Sequence, residues 1–245
     1  MDYNVYRLSI KEYLILLAAA LAAGGIVSYL FYESLFGLLL APVFFVLLKK
    51  RKIHQEIQKR KIILSEQFMD ALKAVSTALL AGYSMENAWI EAQKELELLH
   101  GRESLMYQEV DEMNRAVQMN VPLEHKIEEF AIRSGVEAIA SFAEIFSFAK
   151  RSGGNFVQII DATTHRMCGK FETEREIEVM VASKKMEQKV MDVIPIGIIA
   201  YLKISAMGTL DILYGNFFGV CFMTVCLVLY IGAIYLSERI LDIRV

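Results

Sequence analysis

Hydrophobic positions follow two regimes along the chain. Residues 13–48 and 193–237 are nearly continuous apolar runs, and the stretch between them repeats apolar residues at helical spacing. A bilayer core of roughly 30 Å is crossed by about 20 apolar residues in a helix. Tyr13 to Phe31 is one uncharged run, and Ser34 to Leu48 is a second that contains Pro42. Only Tyr32 and Glu33 separate them, which predicts a tight hairpin. Val193 to Leu213 and Asn216 to Leu236 form a second pair, and the first of these carries Pro195 and Lys203. The expected organisation is a tail over 1–12, hairpin 1 over 13–48, a soluble domain over 49–192, hairpin 2 over 193–237 and a tail over 238–245.

The middle reads as all-helical. Leu64, Phe68, Leu72, Val75 and Leu79 make one apolar stripe, and Met85, Ala88, Trp89, Ala92 and Leu96 the next. Further stripes run through Met106 to Val117, Leu123 to Phe130, Ile139 to Ala149, and Phe156 to Met167. The last could continue as a long helix toward the third span. Turn residues fall between the stripes. Gly82-Tyr83-Ser84 opens the second helix with Ser84 as its N-cap, and Pro122 sits where a first-turn proline is tolerated. Gly101, Ser134-Gly135 and Ser152-Gly153-Gly154 close others. Six helices with short loops, each burying one face, predict an antiparallel bundle.

Charge orients the spans. Residues 49–61 hold seven basic residues against Glu56 alone, whereas 62–192 hold 14 basic and 22 acidic residues, a net of −8. A nucleic-acid binder would carry a basic face on its folded domain, so nucleic acid is not an expected partner. Arg7, Lys11, the 49–61 cluster, Lys184, Lys185, Lys189, Arg239 and Arg244 all lie on one side of the spans, and the two hairpin tips carry no basic residue. The positive-inside rule then places both termini and the middle domain in the cytoplasm. The basic cluster is also suited to anionic membrane lipids. Cys168, Cys221 and Cys226 form neither a disulfide framework nor a zinc pattern, which fits a reducing compartment.

A search for chemistry finds no P-loop and no H-E-x-x-H. Ser147-Phe148-Ala149-Lys150 matches S-x-x-K without the companion motifs that its chemistry needs. The four histidines lack metal-ligand spacing. No enzyme activity, cofactor or metal is expected. Lys203 is the residue that asks for an explanation, because an ionisable group deep in a span costs about 2.5–3.5 kcal/mol on insertion scales. One reading is a counter-charge for an acid on a partner's membrane helix. The plainer one is a snorkelling or paired, bundle-facing lysine.

Several segments in order resemble a known family. Ala71 to Trp89 (ALKAVSTALLAGYSMENAW) is similar to the opening of the type II secretion F domain. Asn120-Val121-Pro122-Leu123 with Phe130 and Ala131 resembles its middle element, with Asn120 where a glycine is usual. Phe146 to Ile160 (FSFAKRSGGNFVQII) resembles its double-glycine element, and Arg175 to Pro195 its closing charged helix. One such domain between paired spans resembles the TadB/TadC branch of Tad (Flp) pilus systems.

The resemblance implies a platform protein of the cytoplasmic membrane, set between a cytoplasmic hexameric ATPase and pilin subunits. It also implies oligomers, with itself or with a paralogous F-domain protein. Gly82, Glu86, Asn87, Arg151, Gly153 and Gly154 are the expected ATPase or partner contacts, and Lys203 is the expected intramembrane pilin contact. A small-solute transporter or channel subunit using Lys203 and a helix break at Pro195 is the reading from a different class.

Overall fold

The computed structural model describes residues 3–6, 8–32, 41–152, 156–205 and 216–241. The regular elements among these residues are all helices, with no strand among them. In chain order the helices are α1 (Ile10–Val27), α2 (Ala41–Leu80), α3 (Met85–His100), α4 (Leu105–Gln118), α5 (Leu123–Ser134), α6 (Glu137–Ser152), α7 (Phe156–Ser205) and α8 (Phe217–Leu241). A π-helical turn, Ser28–Tyr32, continues α1. Two compact units emerge, one of residues 1–7 and 53–173 and the other of residues 8–52 and 174–245.

The first unit has a single apolar core fed by six helices. Leu64, Phe68, Leu72 and Val75 of α2 are fully buried, as are Trp89, Met106, Ile127, Phe142 and Ile160 from the helices that follow. Phe68 stands edge-on to Phe142 at 5.6 Å between ring centroids. Such pairs add about 0.5–1.5 kcal/mol to the area they bury. Neighbouring helices are tied by polar contacts placed where the stripes leave room for them. Asn114 Nδ2 donates to the Trp89 carbonyl at 3.3 Å, and Gln93 Nε2 to Asp111 at 2.9 Å, so α3 and α4 run in opposite directions. Gln67 Oε1 caps α4 by accepting from the Met106 N–H at 3.0 Å.

Helix ends follow local chemistry. Ser84 is extended and its Oγ accepts from the Asn87 N–H at 3.4 Å, as its N-cap position requires. Gly135 ends α5 in the left-handed region with φ 57°. Pro122 occupies the N-cap of α5, one position ahead of the first-turn site expected for it.

In the second unit, two helices among the described residues are long and apolar enough to cross a membrane, Ile10–Tyr32 and Phe218–Ser237. The run from Ser34 to Leu48 is described from Ala41, where it opens α2, and the run from Val193 to Leu213 only as far as Ser205 in α7. A Cβ added to Gly24 of α1 would lie 3.2 Å from the Ala41 Cβ, so small residues bring the two helices into close approach. Farther along, the Tyr13 and Phe45 rings are 5.9 Å apart and Lys49 Nζ stands 4.9 Å from the Tyr13 ring centroid.

One sequence expectation is corrected here. Pro195 does not break the helix, because α7 runs from Phe156 through Ser205 with the proline inside it. Proline removes one backbone hydrogen bond and crowds the carbonyl four residues back. The backbone hydrogen bonds that remain on both sides keep the helix continuous.

Candidate functional site

The expected partner-contact residues sit at helix ends of the first unit. Gly82 adopts φ 92° in the α2–α3 turn, a conformation that glycine takes without steric cost. Glu86 and Asn87 lie in the first turn of α3, and both are exposed. Arg151 is exposed near the end of α6, where its Nε donates to the Ser147 carbonyl at 3.2 Å. Gly153 and Gly154 lie outside the described residues.

The Gly82–Asn87 segment and Arg151 are distant in sequence, yet two polar contacts set their helix ends toward the same end of the unit. Ser76, near the end of α2, donates its Oγ to Asp161 Oδ1 of α7 at 2.6 Å. That bond sets the turn after α2 beside the start of α7. Lys150 near the end of α6 pairs with Glu124 in the first turn of α5 at 3.1 Å. The α4–α5 turn therefore joins the same end. Its Asn120 has φ 63°, the one non-glycine residue with positive φ among those described. Asparagine visits this region more readily than any residue except glycine. Asparagine is thus a residue that this backbone conformation tolerates.

Lys203 lies in the last turn of α7. Its Nζ donates to the Tyr29 carbonyl and stands 4.0 Å from the centroid of the Tyr29 ring. Tyr29 belongs to the π-helical turn that follows α1. The ammonium is therefore engaged by one ring face and one backbone oxygen of its own chain.

A further polar centre has no counterpart in the sequence reading. Glu109 of α4 is buried, with its side chain 4% exposed, and it takes a forked pair of bonds from Arg133 at 3.1 and 2.7 Å. The Tyr3 hydroxyl donates to the same carboxylate at 2.9 Å. Burial, and next the Glu109 charge, raise the Tyr3 phenol well above its ordinary range. Burial alone would lower the Arg133 guanidinium, but its hydrogen bonds and charge contact with Glu109 outweigh this and raise it. Asn4 Nδ2 and the Tyr3 N–H both donate to the Arg133 carbonyl at 3.3 Å, and Arg60 lies over the Tyr6 ring at 4.7 Å. Residues 3–6 are thus a strap on the first unit. Their short polar stretch has no periodicity that would signal this.

No group of three or more His, Cys, Asp or Glu side chains among the described residues could hold a metal ion. His100 pairs with Asp70 at 2.9 Å and His165 approaches Asp161 at 3.6 Å, each on one carboxylate alone.

No protein family matches the sequence, and neither curated proteins nor solved structures give a match.

Proposed function

We propose that the chain is a multi-pass platform protein of the cytoplasmic membrane, belonging to a Tad-type pilus or a type II secretion-like machine. It couples a cytoplasmic hexameric ATPase to the insertion or extraction of pilin subunits. In this reading the first unit is a six-helix antiparallel bundle in the cytoplasm, and the second unit is two membrane hairpins.

The observation that carries the reading is the gathering of the motif-bearing turns. Gly82, Glu86, Asn87, Asn120 and Arg151 come from three separate segments whose helix ends lie toward one end of the first unit. Exposed polar turns on a rigid scaffold are where contacts with other proteins concentrate.

Two further features support the topology. Residues 1–7 and 53–173 belong to one unit, which supports a chain that leaves and returns on the same side of the membrane. The Gly24–Ala41 and Tyr13–Lys49 approaches fit two antiparallel spans.

The full chain, purified in mild detergent from its own cells, tests the contact. A hexameric ATPase should co-purify with the wild type and be lost with Glu86→Lys or Arg151→Glu. Retention of the ATPase by both variants contradicts the assigned surface.

A further inference from the structure

α1 does not end as an α-helix. Ser28–Tyr32 turn with π-helical geometry, a feature that occurs mostly as single turns and often at functional positions. Passing into a π-turn disturbs the regular backbone ladder. In an apolar setting, freed backbone groups must then find other partners.

Two polar contacts converge on this turn within the second unit. Lys203 of α7 donates to the Tyr29 carbonyl, with its Nζ 4.0 Å above the Tyr29 ring. Tyr32 Oη and Thr224 Oγ1 of α8 share a hydrogen bond of 3.1 Å. Around them Leu30 and Phe31 bury against Met223 and Leu227. The two contacts differ in kind. The hydroxyl pair is neutral, whereas the lysine brings a full charge that must stay solvated among apolar helices. A ring face and a carbonyl together supply that solvation.

We propose that Lys203 is the positioning residue of an intramembrane latch, holding the π-turn of α1 against α7 through the Tyr29 carbonyl and ring. With the latch closed, Lys203 is occupied within its own chain. With it open, the π-turn loses its charged donor and the ammonium becomes available to an acidic group on an entering helix. The second consequence rests on the platform reading; the latch itself does not.

Amide hydrogen exchange of the full chain in detergent micelles tests the latch. Lys203→Met should speed exchange across Ser28–Tyr32 by roughly tenfold or more, the order expected on losing a charge-assisted hydrogen bond. The first unit should be unchanged. Lys203→Arg keeps a donor and a cation, and should stay close to wild type. Tyr29→Leu removes the ring and should give a smaller increase, and the double variant should exceed Lys203→Met little, since both changes break one contact. Unchanged exchange at Ser28–Tyr32 in Lys203→Met, or additive effects in the double variant, overturns the latch. If Lys203→Met does not fold, Tyr29→Leu alone decides: exchange equal to wild type overturns the latch. None of these outcomes depends on pilus formation, so the latch and the platform reading fail separately.

Discussion

The Tyr3 hydroxyl and the Glu109 carboxylate meet at 2.9 Å across 106 positions of sequence. The ring of Tyr3 is only 3% exposed and joins the core of the first unit. Arg133 neutralises Glu109 from the other side. A donor to a charged, buried acceptor contributes about 1.5–3 kcal/mol. Tyr3→Phe should therefore lower stability by about that amount. Trp89, the sole tryptophan and 1% exposed in the same core, reports the unfolding by fluorescence. A Tyr3→Phe chain as stable as wild type would show that the strap contributes nothing.

The same contact sets a response to alkali. The Tyr3 phenol is raised above its ordinary value of 10.0 in the folded chain, by burial first and by Glu109 next. The folded state thus favours the neutral phenol. Its contribution is whole below pH 10 and is lost as pH rises beyond it, because the unfolded chain ionises while the folded chain does not. Wild-type stability should fall more steeply above pH 10 than that of Tyr3→Phe. Parallel curves from denaturant titrations between pH 9 and 12 would refute this.

Asn120 holds φ 63° at the α4–α5 turn. Left-handed backbone costs an ordinary residue roughly 1–2 kcal/mol and glycine almost nothing. Asn120→Val should lower the unfolding free energy by about that much, with Asn120→Gly neutral or slightly stabilising. Equal stability of the two variants would mean that the turn does not impose this conformation.

Cys168 is buried with its Sγ 4.0 Å from Met69 Sδ, and burial pushes its thiol up despite the pull of Lys73. The reactive thiolate is therefore scarce and shielded. At pH 7 a maleimide should modify Cys168 at least about a hundredfold more slowly in the native chain than in denaturant, since reaction waits on local opening. Peptide mass mapping separates it from Cys221 and Cys226. Rapid native modification would contradict the burial.

Local chemistry was readable in the sequence and long-range chemistry was not. Ser84 at the start of α3 and Gly101 and Gly135 after α3 and α5 are visible because a cap acts within a few residues. The apolar stripes are visible because one face of each helix enters a common core. The Tyr3–Glu109–Arg133 centre is invisible, because nothing near Tyr3 announces a partner 106 positions away. Pro195 misleads for the opposite reason. Its local rule is real, yet the helix on both sides keeps the element whole. Lys203 stood out by its cost in an apolar span, but its partner is a backbone carbonyl and a ring, which no charge pattern reveals. The common placement of Glu86 and Arg151 likewise follows from how the helices stack, through contacts such as Ser76–Asp161.

In the proposed role, this chain transmits motor action to pilin at the membrane. Deleting its gene and counting surface fibres by electron microscopy, with pilin measured in the same cells, tests it most directly. Fibres should disappear while pilin is still made and held in the membrane, and the intact chain supplied in trans should restore them. Unchanged fibres in the deletion strain would contradict it.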